Sequence, residues 1–139
     1  MKKALVVGIN DYKSCPLNGC INDARAVESA ISRNGDGTVN FSVRAMMNIA
    51  TKGSLRNAVD DCFSGDADIA LFYFSGHGYI DSIGGYIVTP DFTDGDFGLS
   101  MQDLLTIVNQ SKCKNKVVIL DCCHSGMMGN MQIGNQNTA

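Results

Sequence analysis

Residues 117–126, VVILDCCHSG, join a run of four apolar residues directly to an acid, two adjacent cysteines, a histidine and a serine. A short continuous apolar run rich in β-branched residues is typical of a strand buried on both faces of a parallel sheet. In open α/β sheets, reactive and ligand-binding groups gather at the carboxyl ends of such strands. This stretch therefore predicts a buried strand with a site containing cysteine and histidine where the strand ends.

The rest of the chain repeats this alternation of buried strands and amphipathic helices. The predicted strands cover residues 3–8, 41–46, 68–75 and 116–120, the helices cover 20–34 and follow Thr51 and Ser100, and a small hairpin covers 78–89. Thr51 and Ser100 are placed before their helices because a hydroxyl can cap a helix N-terminus. This order predicts an α/β fold with helices on both faces of a mostly parallel sheet and an unpaired apolar edge on the fourth strand.

Length, composition and charge narrow the class of protein. One domain is expected from 139 residues, of which 45% are hydrophobic. The net charge is −3, and the Lys and Arg residues are scattered rather than clustered into the basic patch that a nucleic-acid-binding surface needs. The apolar runs are too short to span a membrane, and the start MKKALVVGIN is predicted to be a strand rather than a signal peptide. We therefore expect a cytoplasmic protein without nucleic-acid or membrane partners.

The six cysteines are predicted to be reduced thiols. A chain with a sizeable apolar core does not need disulfides, and no CxxC pair occurs. Two histidines cannot complete a spaced zinc site, and the adjacent Cys122 and Cys123 would point to opposite faces of an extended segment. No metal site is predicted.

Both histidines are expected at strand ends. His77 follows the third predicted strand in FYFSGHGY, and Cys123 with His124 follows the fourth. Neighbouring parallel strands would bring His77 and Cys123 within reach, so the imidazole could take the thiol proton and generate a nucleophilic thiolate. The amides of Gly78 and Cys123 could then stabilise an oxyanion. The residues alone also allow a loop histidine with a satisfied hydrogen bond and a structural cysteine.

Four blocks, ALVVGINDY, LNGCINDA, FYFSGHGY and VVILDCCHSG, resemble the large, p20-like subunit of metacaspases and their prokaryotic caspase-like relatives in order and spacing. The resemblance implies a caspase-like three-layer sandwich, of which this chain is the large-subunit portion. It also implies that Cys123 is the nucleophile and His77 the general acid/base of a Cys-His dyad. Cys122 then has a structural or neutral role, and His124 belongs to the packing of the motif.

The resemblance further implies an acidic pocket that accepts Arg or Lys before the scissile bond. The matching positions are Asp23 and Asp121, expected to be buried or half-buried, with Cys20 and Ser75 lining the pocket. From the residues alone, Asp23 could equally be a first-turn acid that interacts favourably with a helix dipole.

No cofactor is predicted. Calcium, on which many metacaspases depend, would need acids near the start of the third helix, where this chain has Met101 and Gln102. The acidic stretch DFTDGDFG, with Asp91, Asp94 and Asp96, is predicted to be a solvated turn.

The resemblance also suggests a division of the chain and a set of partners. Residues 1–126 would form the large-subunit domain, and the Gly- and Asn-rich residues 127–139 a flexible inter-subunit linker or tail. A small, p10-like subunit would complete the sheet, and peptides or proteins would be the substrates. The expected function is an endopeptidase that stays latent until activated, in a prokaryotic stress or defence cell-death pathway. The alternative is a catalytically silent caspase-fold regulator that binds a partner or ligand.

Overall fold

A computed structural model describes residues 1–123, with Cys123 described by its backbone alone. The elements in chain order are β1 (Lys2–Gly8), α1 (Cys20–Ser32), β2 (Ser42–Met47), α2 (Lys52–Cys62), β3 (Ile69–Ile80), β4 (Gly85–Thr93), β5 (Asp96–Ser100), α3 (Met101–Gln110) and β6 (Asn115–Cys123). The predicted boundary between residues 126 and 127, like His124, lies outside the described residues. Within the part of the chain that is described, no helix is long and apolar enough to cross a bilayer.

Six strands of the described chain form one sheet, and its centre is parallel. β1 pairs in parallel with β2 on one side and β3 on the other, and β6 pairs in parallel with β3. β4 then pairs antiparallel with the last residues of β3, and β5 pairs antiparallel with β4. The predicted α/β class, with a mostly parallel sheet, is confirmed.

Helices cover both faces of this sheet, as predicted from the alternation of strands and helices along the chain. Ala4 and Val6 pack with residues of α1 in one apolar cluster, and we call this side the α1 face. Leu5 and Val7 point the other way into the larger core, which α2 and α3 supply with residues such as Leu55 and Leu104. The helix starts are also as predicted, because Thr51 Oγ1 accepts from Ser54 N and Ser100 Oγ accepts from Asp103 N.

Two strands continue further than the sequence predicted. β3 does not stop at Ser75 but runs to Ile80, so His77 lies inside a strand rather than in the loop after it. β6 likewise extends to Cys123. The two extensions support each other, because the β3–β6 ladder continues in register to the pair His77–Cys123 before β4 takes over at Gly78.

The acidic stretch is a second hairpin and not simply a solvated turn. Thr93 pairs with Asp96 across a tight turn in which Gly95 has a φ of 83°. Asp91 Oδ1 accepts from the Lys52 backbone N–H at 3.1 Å, and Asp96 Oδ1 lies 2.8 Å from Lys52 Nζ. These two acids therefore hold the hairpin against the first turn of α2.

The edge formed by β6 is apolar, as predicted. Among the described residues β6 pairs only with β3. Val117 and Ile119 remain 36% and 43% exposed on the same strand. They are the register partners of Leu71 and Tyr73, which α1 buries on the α1 face, so the helix cover stops short of β6.

Candidate active site

The backbone register brings the two predicted dyad positions side by side. The Cα atoms of His77 and Cys123 are partners in the parallel β3–β6 ladder. Side chains on one face of a strand recur every second residue. Position 123 thus lies on the same face of its strand as Asp121, and position 77 lies on the same face of its strand as Tyr73 and Ser75.

His77 is completely buried, and its ring is held by a backbone carbonyl. Nε2 lies 2.7 Å from the carbonyl oxygen of Cys15. A carbonyl can only accept, so Nε2 carries the hydrogen and donates it. In a neutral ring Nδ1 is then the basic nitrogen, which is the protonation pattern a general base needs.

Tyr12 fixes the backbone and the ring plane of His77. The His77 N–H donates to Tyr12 Oη at 3.1 Å, and that hydroxyl donates to the Val88 carbonyl of β4 at 2.9 Å. The two rings meet edge to face, with centroids 4.5 Å apart. Burial, the largest effect, raises the pKa of Tyr12 well above its usual range, so its hydroxyl stays a neutral donor.

Gly76 makes this contact sterically possible. A Cβ at this position would lie 2.6 Å from Tyr12 Oη and 2.6 Å from Phe74 Cζ. Gly76 is not among the described glycines with positive φ. Its role is therefore close approach of a side chain, rather than the unusual backbone angle for which glycine is often needed.

Positions 122 and 123, the two adjacent cysteines of β6, belong to opposite faces of the strand. Cys122 is half-buried and packs against the larger core that α2 and α3 help to form. Position 123 is one residue further along and therefore lies on the other face of the strand, together with Asp121. Cys122 therefore has a packing environment, in agreement with a structural role.

The start of α1 carries two of the predicted pocket residues. Cys20 is fully buried, and Asp23 lies exposed in the first turn. Asn10 Oδ1 accepts from Cys20 N at 3.0 Å and caps the helix from the preceding loop. Asn48, which has a φ of 55°, in turn accepts the Asn10 N–H with its side chain at 2.9 Å.

Asp121 and Ser75 complete the predicted set at the junction of β3 and β6, where they are register partners. Ser75 is fully buried, and its side chain lies close enough to the Tyr73 hydroxyl to act on the pKa of that group. Asp121, like Asp23, is exposed. The expectation of buried or half-buried carboxylates was wrong, because the α1 face is open to solvent beside β6.

Gly78, the predicted oxyanion donor, pairs with Ile87 of β4 directly after the His77–Cys123 pair. Its backbone is thereby fixed next to the dyad positions. Across residues 1–123, no group of three or more His, Cys, Asp or Glu is arranged to hold a metal ion.

Outside this site, Cys62 and Cys113 are free thiols. Burial raises the pKa of Cys62 from 9.0 to about 11. A thiol with a raised pKa is a poor nucleophile near neutral pH. Cys62 is therefore a core residue rather than a reactive one.

Sequence reasoning missed two residues that shape the site. Tyr12 ends the block ALVVGINDY and Tyr73 lies in a predicted buried strand, and the sequence assigned no role to either residue. The signal for both was a hydroxyl inside an otherwise apolar stretch, since a buried Tyr O–H usually finds a hydrogen-bond partner. The two partners, the Val88 carbonyl for Tyr12 and the Asp121 carboxylate for Tyr73, could not be predicted because they are distant along the chain.

The fold and the paired histidine and cysteine positions define a chain of the caspase class. The caspase domain family matches residues 1–138, and the protein belongs to this family. The chain is also 32% identical over 140 residues to metacaspase-9 of Arabidopsis thaliana. That alignment covers 88% of this chain but 43% of metacaspase-9, so the chain spans less than half the length of this curated relative.

Proposed function

We propose that this chain is the large-subunit portion of a caspase-like cysteine endopeptidase with a dyad of His77 and Cys123. The observation that carries the proposal is the register pair His77–Cys123, in which the histidine is buried and held by the Cys15 carbonyl. Membership of the caspase domain family supports the same reaction class.

The reaction follows from the protonation state of His77. Nδ1 takes the thiol proton of Cys123, and the thiolate attacks the scissile carbonyl carbon. The amides of Gly78 and Cys123 donate to the oxyanion of the tetrahedral intermediate. His77 then protonates the leaving amine as the C–N bond breaks, which leaves an acyl-enzyme. Water, deprotonated by His77, hydrolyses the thioester and restores the thiol.

Cleavage after Arg or Lys is the proposed specificity. Asp23 and Asp121 lie on the same side of the sheet, and both carboxylates act electrostatically on the Tyr73 hydroxyl. Their exposure means that the pocket attracts a cation without a large desolvation cost to either partner. Cys20 and Ser75 provide the buried wall of the pocket.

A small, p10-like subunit is the proposed partner that completes the sheet beyond β6, with residues 127–139 as the linker. The unpaired apolar edge among the described residues supports this. Latency until activation, a cytoplasmic location and a role in prokaryotic stress or defence cell death are the remaining parts of the proposal. Calcium dependence is not part of it.

The test uses the full-length protein and fluorogenic peptides that differ only in the residue before the cleaved bond. We expect Arg and Lys peptides to be cleaved at least about tenfold faster than Asp, Asn or Ala peptides, a difference of about 1.4 kcal/mol. Cys123→Ala should abolish hydrolysis, and His77→Ala should lower it by a factor on the order of 10² or more.

Cys122→Ala is the matched control for the nucleophile, because it removes the thiol of the adjacent residue, which lies on the other face of the strand. It should keep most of the activity. Loss of activity in Cys122→Ala with a fully active Cys123→Ala would overturn the dyad. An inactive protein that still binds a partner through this face would support the regulator instead.

A further inference from the structure

Tyr73 connects the buried core of the α1 face to the acidic pocket. Its side chain is 4% exposed and packs in the cluster that contains Ala4, Val6 and Ala24. Its hydroxyl donates to Asp121 Oδ2 at 3.0 Å. An exposed carboxylate is thus attached to a rigid, buried ring on the neighbouring strand.

The charge around this hydroxyl fixes the direction of the hydrogen bond. Burial, followed by the hydrogen bond and charge of Asp121 and finally the charge of Asp23, raises the pKa of Tyr73 well above its usual range. The phenol therefore stays protonated, and the carboxylate remains the acceptor. Such charge-assisted hydrogen bonds are stronger than neutral ones.

This attachment affects what Asp121 can offer to a ligand. A solvent-exposed carboxylate normally exchanges between rotamers, and ordering it costs entropy when a ligand binds. With Oδ2 held by Tyr73, the second oxygen has a fixed position. A guanidinium donates through a rigid fork that needs acceptors in fixed places, whereas an ammonium binds as a point charge.

We propose that Tyr73 is a positioning residue for specificity, which holds the Asp121 carboxylate where the cationic side chain before the scissile bond binds. This proposal rests on the proposed endopeptidase and deepens its specificity. Because the phenol acts on the pocket and not on the dyad, its loss should depend on the substrate.

The experiment compares wild type and Tyr73→Phe in the full-length protein, with Arg, Lys and Ala peptides. Phe keeps the ring in the core and removes only the hydroxyl. We expect kcat/KM for the Arg peptide to fall about five- to tenfold, mainly through KM, and that of the Lys peptide to fall less. The rate of Cys123 alkylation by iodoacetamide, which has no side chain for the pocket, should stay unchanged.

Two further variants isolate the contact from general effects of losing a tyrosine hydroxyl. Tyr86→Phe is the matched control, because the pKa of Tyr86 is also raised, first by burial and then by Asp81, and its ring packs with Tyr79 and Phe97. It should behave as wild type. In an Asp121→Ala background, Tyr73→Phe should have no further effect on the Arg peptide, since the two residues act as one unit.

Asp121→Glu covers the case in which Tyr73→Phe does not fold. Asp121 is exposed, so this variant keeps the charge without disturbing the core but moves the carboxylate out of place. It should show the same selective loss for the Arg peptide. Wild-type behaviour in Asp121→Glu, an unchanged Arg/Lys ratio in Tyr73→Phe, or a parallel loss of alkylation rate would each overturn the positioning role.

Failure of the underlying function has a different signature. If the wild-type protein hydrolyses no peptide or does not prefer basic residues, the proposed specificity is wrong and the role of Tyr73 falls with it. If wild type prefers Arg and Tyr73→Phe matches it, only the assignment of Tyr73 is wrong.

Discussion

At Gly76, the missing side chain lets the Tyr12 hydroxyl reach the backbone of His77. A Cβ there would meet Tyr12 Oη and Phe74 Cζ, each at 2.6 Å, and both atoms belong to buried rings that cannot swing away. The site is therefore sensitive to the addition of one methyl group at Gly76.

We predict that Gly76→Ala lowers the free energy of unfolding by about 2 to 3 kcal/mol, because overpacking forces the Tyr12 and Phe74 rings to shift. Thermal or urea unfolding measures this. Combination with Tyr12→Phe should recover part of the loss, since it removes one of the two clashing atoms.

Gly53→Ala is the control for this change. Gly53 lies in α2, and a Cβ there would meet nothing within 4 Å. This substitution should stabilise the protein by about 0.5 to 1 kcal/mol through helix propensity. Equal effects at both glycines would contradict the steric argument.

Cys62 gives the protein a dependence of stability on alkaline pH. Burial raises its pKa from the ordinary 9.0 to about 11, so the unfolded chain loses this proton first as the pH rises. The free energy of unfolding should therefore fall between pH 9 and pH 11, by at most about 2 to 3 kcal/mol from this group.

Denaturant unfolding across this pH window, in wild type and Cys62→Ala, measures the contribution of the thiol. The variant should be less stable below pH 9 because of the cavity, but the difference from wild type should shrink toward pH 11. A constant difference would show that Cys62 does not titrate in this range. Burial also raises the pKa values of Tyr12 and Tyr73, and their contributions are the same in both proteins and cancel in the difference.

At the scale of elements, the helices and central strands were predictable because their signals are local. Thr51 and Ser100 cap helices by accepting from amides only three residues further along the chain. The continuous apolar runs of β1, β3 and β6 are typical of buried strands and not of loops. The predicted assignment of His77 and Cys123 to neighbouring strand ends also rests on such local features.

The extension of β3 could not be predicted in the same way. Residues 75–78, SGHG, have the composition of a turn, yet they form a strand because β6 pairs with them on one side and β4 continues the ladder. Strand formation there depends on partners about 10 and 46 residues away, for instance Ile87 for Gly78 and Cys123 for His77. The exposure of Asp23 and Asp121 was equally non-local, since it depends on how far α1 covers the sheet.

The second hairpin stabilises α2 through Asp91. Its carboxylate accepts the Lys52 N–H of the first turn of the helix and also a hydrogen bond from Thr89 Oγ1 at 2.6 Å. We predict that Asp91→Ala lowers the free energy of unfolding by about 1 kcal/mol, as the loss of a helix cap does. Thermal unfolding is the measurement.

Asp94→Ala provides the comparison for Asp91→Ala, because Asp94 lies exposed at the tip of the same hairpin. It should change stability by less than about 0.5 kcal/mol. If the two alanine variants are equally destabilised, the contact with α2 is not what stabilises the hairpin.

At the scale of the whole molecule, the apolar edge of β6 determines how the chain behaves alone. Exposed Val117 and Ile119 continue the α1 face beyond its helix cover, and the strand edge is unpaired within the described residues. Such edges pair with other chains unless something covers them. We therefore expect residues 1–139 alone to self-associate and to be stabilised by the proposed small subunit.

Ile119→Lys should have opposite effects in two settings. It should reduce self-association of the isolated chain in sedimentation velocity, because a charge blocks edge pairing. In the assembly with the proposed small subunit, it should weaken association, because the same face must then bury a charge.

Val39→Lys separates this effect from a general gain of charge. Val39 is 64% exposed and lies outside the named strands. It should change neither property. A fully active, monodisperse monomer of residues 1–139 would refute the requirement for a partner.

Two hydrogen bonds connect the backbone of His77 to β4, from the His77 N–H to the Tyr12 hydroxyl and from that hydroxyl to the Val88 carbonyl. The position of the proposed general base therefore depends on the position of β4. A displacement of β4, by a partner that docks on it or by a cut in its turn, should therefore also shift the backbone of His77 through Tyr12. The same strand is anchored to α2 by Asp91. We therefore expect the proposed activity to depend on the position of β4, a strand that supplies none of the proposed catalytic groups.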